Sequence, residues 1–327
     1  MTQKRAYSDL SRRGFLVRSA AAVSALGGAR PAAGTEDNPH TLYRSEAGRN
    51  FVLALYERKL RNLTPPHDTM MVQTRYGHTH VLMLGAPAAP PLLALHGVHF
   101  GGPFMADFVA PLADKYRIII PDIVGQPGRS ADVQPAPVNN NYARWISDVL
   151  DALKLRSAPV VGISFGGAVA LDLAAFAPQR ISKAALIVPG GFEGNAYTFL
   201  PLLFRLFLPW HAYRLFPDPA RIAQTVRPLA SEMERDWYEY FDAILRHVHW
   251  LIPPPGPFSQ NDLKSFTAPT AIYTARQDIF FPGDALVAEA RKVISNLEEA
   301  YVFDSSHFPT RSMREEVIDH LSSFLAQ

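Results

Sequence analysis

The stretch Gly162-Ile-Ser-Phe-Gly166 decides the fold, because it stands between the β-branched run Ala158–Ile163 and an apolar stretch, 168–177, that Pro178 stops. A serine between two glycines at a strand-to-helix junction is typical of a nucleophile elbow. The turn is so tight that side chains two residues before and after the serine would collide. The pattern therefore predicts a strained backbone at Ser164 and an exposed hydroxyl.

Two further residues follow predicted strands where catalytic side chains are expected. Asp278 comes after the apolar run 268–277, and His307 comes after the run 299–303 and a short Asp-Ser-Ser turn. The carboxyl ends of parallel strands meet at one edge of a sheet, which is where catalytic residues collect. We therefore expect both side chains to lie near Ser164.

These three residue types suit nucleophilic catalysis. A serine hydroxyl is a weak nucleophile at neutral pH, so a hydrogen-bonded imidazole must take its proton during attack. The imidazolium then needs a carboxylate on its other ring nitrogen, which holds the tautomer and stabilises the charge. We predict Ser164 as the nucleophile, His307 as the base and Asp278 as the acid that orients His307.

An oxyanion loop is predicted upstream, where the apolar strand Pro91–Leu95 runs into His96-Gly-Val-His-Phe-Gly-Gly102. The tetrahedral intermediate of acyl transfer needs two backbone N–H donors, one from the residue after the nucleophile and one from such a loop. We predict Phe165 as the first donor and Val98 as the second, with His99 as the next choice after Val98.

The side chains of the same loop receive separate predictions. We expect His96 to be structural, bonding backbone groups that shape the loop, rather than to transfer protons. His99 and Phe100 are predicted to contact the substrate, with the His99 side chain facing the pocket.

Together these motifs resemble the α/β-hydrolase superfamily over residues 70–327. The order nucleophile, acid, histidine is that superfamily's order. The stretch Asp122-Ile-Val-Gly-Gln-Pro-Gly-Arg-Ser130 resembles its D-x-x-G-x-G-x-S loop, with one inserted residue between the glycines. The resemblance implies an α/β fold with a mostly parallel eight-stranded sheet flanked by helices and an inserted helical lid.

A narrower resemblance is to naproxen-type carboxylesterases. It rests on Gln73-Thr-Arg-Tyr-Gly-His-Thr-His80, on PPLLALHG at 90–97, on NNNYARWISDVLDAL at 139–153 and on the elbow. It implies a serine carboxylic-ester hydrolase that works through an acyl-enzyme on a small-molecule acyl substrate. Epoxide hydrolases and haloalkane dehalogenases resemble the same fold but carry aspartate at the elbow, so Ser164 argues against both.

The domain prediction divides the chain into a signal segment, a linker with one helix, a core and a lid. The signal segment is 1–34, the linker and amphipathic helix are 35–69, the core is 70–192 with 266–327, and the lid is 193–265. The lid contains an apolar run, 197–208, and a predicted helix, 232–252, with aromatic residues Trp237, Tyr238, Tyr240, Phe241 and Trp250. We expect these aromatics to pack the lid onto the core more than to line a pocket.

A membrane-surface role for the 197–208 run is disfavoured, because Pro201 and Pro209 shorten any helix there.

At the N-terminus, Ser11-Arg-Arg-Gly-Phe-Leu-Val17 resembles a twin-arginine export motif. The apolar run after it is interrupted by Arg18 and is shorter than the about 20 residues that span a bilayer. We predict a periplasmic or secreted protein without a stable membrane span, or a cytoplasmic one if the segment is no signal; the cleavage site stays open.

Composition excludes several other classes. The 327 residues are 48% hydrophobic, carry a net charge of +2 and contain no cysteine, which indicates one large core, no nucleic-acid partner and no disulfide or thiolate chemistry. His78 and His80 share one strand face, expected to be partly exposed, without further ligands at metal spacing. We predict no metal and no cofactor. The oligomeric state stays open.

Other activities remain open on the same three side chains. Carbon–carbon bond hydrolysis, lactone opening and cofactor-free perhydrolysis use the same nucleophile, base and acid, and acyl transfer to an alcohol becomes possible where the lid excludes water. A different class is a non-catalytic ligand receptor on a hydrolase scaffold.

Overall fold

A computed structural model describes residues 42–193, 202–230, 232–249 and 252–327 of the chain. The predicted signal segment, with its twin-arginine motif, lies outside the described residues. So do residues 194–201 of the predicted lid, and Trp250.

The described residues form eight strands and nine α-helices. In chain order they are α1 (Glu46–Arg61), β1 (His67–Thr74), β2 (Gly77–Leu84), β3 (Pro91–Leu95), α2 (Gly102–Val109), β4 (Arg117–Pro121), α3 (Asn141–Ala152), β5 (Ala158–Ile163), α4 (Phe165–Phe176), β6 (Ile181–Ile187), α5 (Leu208–Leu215), α6 (Ile222–Val226), α7 (Arg235–His247), β7 (Thr270–Ala275), α8 (Gly283–Val293), β8 (Leu297–Phe303) and α9 (Arg311–Ala326). Short 3₁₀ turns at Ala110–Asp114, Pro178–Arg180 and Pro219–Arg221 complete the list, together with a π-helical turn at Leu203–Phe207.

The eight strands form one sheet in the order β1-β2-β4-β3-β5-β6-β7-β8. β2 pairs antiparallel with β1 and with β4, and the pairs from β4 to β8 are parallel. The strand order reverses at β3, which lies between β4 and β5, so the loops after β3 and β5 leave the same edge side by side. The predicted mostly parallel eight-stranded sheet is confirmed.

Helix α1 buries one face against this core. Ser45 caps it by accepting a hydrogen bond from the Gly48 N–H at 3.1 Å. Its buried residues recur every fourth position, which aligns them in one stripe that packs inward: Gly48, Val52, Tyr56 and Leu60. The predicted amphipathic helix therefore exists, and its inner face reaches the interior of the core.

The segment between β6 and β7, residues 193–265, is here called the inserted segment. Its longest described helix, α7, lies beside α1, and the Lys59 ammonium lies 2.7 Å from an oxygen of Asp236 on α7. Backbone bonds add to this contact, since Arg44 N–H donates to the His247 carbonyl at 2.8 Å and His249 N–H donates to the Leu42 carbonyl at 2.9 Å. The inserted segment is thus tied to the N-terminal helix as well as to the core.

The prediction that Pro209 shortens the helix of the apolar run is wrong. Residues 202–215 are continuously helical, and the Leu208 N–H donates to the Leu203 carbonyl five residues back. Proline has no N–H for the α-helical bond, and the wider π turn just before it accommodates the missing partner. Across the described residues, no helix combines the length and apolar character needed to cross a membrane.

The elbow between β5 and α4 has the predicted geometry. Ser164 has φ 52° and ψ −111°, a conformation that L-residues rarely adopt. A Cβ atom on Gly166 would lie 2.1 Å from the Leu95 carbonyl oxygen, so α4 can approach β3 this closely only with glycine at that position.

Gly166→Ala should lower the free energy of unfolding by about 3 kcal/mol or more, because the methyl group overlaps backbone that has no free direction to move. Gly190→Ala is the matched control, since a Cβ there meets nothing nearer than 3.6 Å. Urea unfolding of both variants measures the difference. Equal stability of the two variants would show that the helix does not depend on this close approach.

Candidate active site

The three predicted catalytic residues lie together at the carboxyl edge of the sheet. The Nε2 atom of His307 lies 3.0 Å from the Ser164 Oγ atom, and its Nδ1 atom lies 2.7 Å from Asp278 Oδ2. Asp278 and His307 follow β7 and β8, which pair in parallel with Ala275 opposite Phe303. The fold therefore brings together residues that are 143 positions apart in the chain, Ser164 and His307.

Burial and hydrogen bonds hold Asp278 and His307 in place. Their exposures are 3% and 5%. The second carboxylate oxygen of Asp278 accepts hydrogen bonds from the backbone N–H groups of Phe280 at 2.8 Å and Phe281 at 3.3 Å. The ring of Phe280 also packs edge-on against the imidazole at 4.9 Å. The carboxylate is therefore oriented by its own loop, and it in turn orients the imidazole.

His96 shapes the loop after β3, as the sequence predicts. Its Nδ1 donates to the Gly97 carbonyl at 2.9 Å, and its Nε2 accepts from the Ile123 N–H at 2.8 Å. Complete burial lowers the pKa of His96 below its ordinary value. The ring is neutral with its proton on Nδ1, and both nitrogens are occupied by backbone groups.

The structure distinguishes the two residues of this loop that were predicted as oxyanion donors, Val98 and His99. His99 has φ 65° and its N–H donates to the Gln126 side-chain oxygen at 2.8 Å, so this N–H is already used. A Cβ on Gly97 would lie 3.7 Å from the Ser164 Cβ, which places the start of the loop against the elbow. Val98 follows directly, so its N–H stays the predicted second donor beside Phe165 at the start of α4.

The predicted substrate contacts, His99 and Phe100, are both buried, with exposures of 7% and 6%. The ring of Phe100 lies in an aromatic cluster that joins the oxyanion loop to α2, to α7 and to the residue after His307: Phe100, Phe104, Trp237, Tyr240, Phe241 and Phe308. The aromatics of α7 in this cluster pack the inserted segment onto the core, as expected. Substrate contact by His99 and Phe100 stays a prediction.

Asp122 is a buried carboxylate that joins three parts of the chain. Its Oδ1 accepts from the Gly102 N–H at 2.6 Å, at the end of the oxyanion loop. Its Oδ2 accepts from the Arg129 N–H at 2.9 Å and from the Tyr56 hydroxyl of α1 at 2.8 Å. Asp122 thus holds the oxyanion loop, its own loop and the N-terminal helix together.

Burial alone would raise the pKa of Asp122, but its hydrogen bonds and the neighbouring His80 outweigh burial and hold the pKa below the ordinary value. His80 Nδ1 lies 3.1 Å from Asp122 Oδ2. His78 and His80 were both expected on a partly exposed strand face. His78 is exposed, but the expectation is wrong for His80, which is 2% exposed. His80 is covered because Tyr56 of α1 packs over it.

Sequence reasoning missed Tyr56, Gln126 and the role of Asp122. Asp122 begins the motif that resembles the superfamily loop, and Gln126 lies in its insertion, so the motif itself held a signal for both. Tyr56 carried no local signal, because its partner Asp122 lies 66 positions away.

Among the described residues, no group of three or more histidine or acidic side chains could hold a metal ion.

Comparison with known proteins defines the class that this fold and site belong to. The model of the alpha/beta hydrolase family matches residues 92–320. The chain belongs to this family.

Particular relatives are carboxylesterases of Bacillus subtilis (strain 168). The chain is 24% identical to carboxylesterase YbfK over 292 residues, which cover 86% of this chain and 95% of that protein. It is 34% identical to the uncharacterized carboxylesterase nap over 130 residues, a match that spans 40% of this chain and only 41% of that protein. The crystal structure of naproxen esterase from Bacillus subtilis superposes with a TM-score of 0.71 at 19% identity, covering 86% of this chain and 99% of that one.

Asp122→Asn should lower the free energy of unfolding by about 3 kcal/mol at neutral pH, because an amide group would face the Arg129 and Tyr56 donors in a buried site. The matched control is Asp151→Asn, whose ion pair with Arg180 involves a side chain that is 65% exposed and is worth at most about 1 kcal/mol. Urea unfolding at several pH values measures both.

The pH dependence follows from the lowered pKa of Asp122. The carboxylate's contribution is fully present above the unfolded-state pKa of about 3.9 and is lost as the pH falls through the lower folded-state pKa. The difference between wild type and Asp122→Asn should therefore stay constant above about pH 5 and shrink under strong acid. A difference that grows on acidification would contradict this account of the cluster.

Proposed function

We propose that this chain is a serine carboxylic-ester hydrolase that acts through an acyl-enzyme. The observation that carries the proposal is the continuous hydrogen-bonded line from Ser164 Oγ to His307 and on to Asp278, with separations of 3.0 and 2.7 Å. The carboxylesterase relatives YbfK and nap support an ester as the substrate class. The geometry supports Ser164 as the reacting group, which similarity alone leaves unidentified.

Attack begins when Ser164 Oγ bonds to the ester carbonyl carbon and its proton passes to His307 Nε2. Asp278 accepts the hydrogen bond of Nδ1–H throughout, so the ring that receives the proton is already oriented and its positive charge is stabilised. The strained elbow keeps the hydroxyl in front of this nitrogen at no further cost in ordering.

The carbonyl oxygen becomes negative during attack and is held by two backbone donors. Phe165 is the first residue of α4, so its N–H points from the positive end of a 12-residue helix. Val98 supplies the second N–H from the loop that His96 and Gln126 shape. Such preorganised donors contribute about 3 to 4 kcal/mol each to transition-state stabilisation.

Collapse of the intermediate breaks the bond to the alcohol oxygen, which takes the proton from His307 Nε2 and leaves. A water molecule then repeats the sequence on the acyl-enzyme: His307 takes a proton from the water, the water oxygen attacks the acyl carbon, and His307 passes that proton to Ser164 Oγ as the bond from Oγ to the acyl carbon breaks and the acid departs. The residues of the chain supply every proton transfer in this cycle.

The other activities predicted from the sequence are further candidates for the same three residues. Export through the twin-arginine motif is a separate proposal. A series of esters of increasing acyl length, with lactone, thioester and carbon–carbon substrates and a perhydrolysis assay, separates these activities. Under our proposal the ester members have the highest kcat/KM. A higher value for any other member would replace the ester assignment while keeping the nucleophile.

Ser164→Ala should lower kcat/KM for p-nitrophenyl esters at least about a thousandfold, because the residual rate comes from binding and the oxyanion donors alone. Thermal unfolding should shift by no more than a few degrees, since only the hydroxyl is lost. Ser182→Ala is the matched control, an exposed serine on β6. Retained turnover in Ser164→Ala would refute the proposal, and a wild type without turnover of any ester would favour the receptor class.

A further inference from the structure

The helical stretch 202–215 of the inserted segment is apolar on two opposite faces. The inner face packs against neighbouring helices through residues spaced as on one side of a helix, which are all buried: Leu206, Trp210 and Tyr213. It is fixed by two hydrogen bonds, from Trp210 Nε1 to the Thr225 carbonyl at 3.2 Å and from the Tyr213 hydroxyl to Asp242 on α7 at 2.6 Å. The orientation of the helix on the protein is therefore set.

The outward face carries the large apolar side chains Phe204, Leu208 and Leu215, and Phe216 follows directly after the helix ends. We call these four residues the outer stripe. Their exposures are 62%, 44%, 61% and 81%. Phe204 and Leu208 are four positions apart, and Leu208 and Leu215 are seven apart, so they share one side of the helix. A helix that is apolar on two opposite faces is normally buried on both, and proteins seldom leave such side chains together in water.

The charge around the outer stripe has one sign. Residues 194–217 contain no aspartate or glutamate, while Arg205, His211 and Arg214 lie between the apolar positions. Within the part of the chain that the structure describes, no carboxylate pairs with Arg205 or Arg214. Asp218, the first acid after the stretch, lies 3.1 Å from Arg221 and is already paired.

We propose that the outer stripe docks onto an anionic lipid surface. Apolar side chains that point outward between arginines match the two layers of such a surface, since the apolar groups enter the acyl region and the arginines meet lipid phosphates. A second copy of this chain is the other possible occupant, but a two-fold contact through the stripe would bring the same arginines of both copies together. The proposal is independent of ester hydrolysis.

The test is co-sedimentation of the full chain with vesicles of phosphatidylcholine alone or of equal parts phosphatidylcholine and phosphatidylglycerol. Phe204→Gln/Phe216→Gln removes apolar groups from the outer stripe. The matched control is Met71→Gln/Val138→Gln, two other exposed apolar residues at 53% and 56%. Arg205→Gln/Arg214→Gln, the charge variant, removes the two positive charges and keeps the outer stripe, whereas Phe204→Gln/Phe216→Gln is the stripe variant. Thermal unfolding of each variant verifies folding, and the charge variant decides the test if the stripe variant does not fold.

We expect wild type to bind the mixed vesicles, the stripe variant to bind about tenfold more weakly and the control to stay within about twofold of wild type. The charge variant should lose about tenfold on mixed vesicles and little on phosphatidylcholine. Absent binding by wild type, or unchanged binding by both the stripe and charge variants, would overturn the proposal. The proposal would also be overturned if sedimentation showed that wild type is a dimer and the stripe variant a monomer, while the stripe variant still bound vesicles.

Discussion

The backbone of Ser164 is the constraint on which the site depends. Its φ of 52° turns the chain from β5 into α4 within one residue, and hydrogen bonds from the Ser164 N–H to the Ile187 carbonyl and from the Gly190 N–H to the Ser164 carbonyl, both 2.9 Å, hold that turn against β6. The same turn presents the hydroxyl and opens α4 with the Phe165 N–H, so the proposed nucleophile and the proposed oxyanion donor are positioned together. The strain is tolerated because hydrogen bonds to β6 and to the loop after it occupy both the N–H and the carbonyl of Ser164.

A second constraint, the buried Asp122 carboxylate, links stability to the site. It bonds Gly102 at the end of the oxyanion loop and Tyr56 on α1, while Gln126 from the loop after Asp122 holds the His99 N–H. α1 in turn meets α7 through Lys59 and Asp236. The N-terminal helix, the inserted segment and the oxyanion loop are therefore parts of one packed arrangement, and a change in any of them is expected to affect the position of the loop.

Sequence patterns were sufficient wherever the cause of structure is local. The strands Pro91–Leu95 and Ala158–Ile163 and the elbow follow from apolar runs, glycines and prolines within a few residues. The position of Asp278 and His307 beside Ser164 also followed, because parallel strands deliver their carboxyl ends to one edge. The Tyr56–Asp122 bond, the burial of His80 and the Gln126 contact could not be predicted, since each pairs residues from distant segments. The prediction that Pro209 shortens its helix failed because the effect of this proline depends on a π turn that no local rule anticipates.

The most direct measurement of the central claim is the site and rate of labelling by a fluorophosphonate, which reacts only with an activated serine. Mass spectrometry of the digested wild-type chain should place a single adduct on Ser164, and His307→Ala should slow its formation about a thousandfold, because the hydroxyl then lacks its base. Labelling of another serine, or equally fast labelling of Ser164 in the His307→Ala variant, would contradict the account.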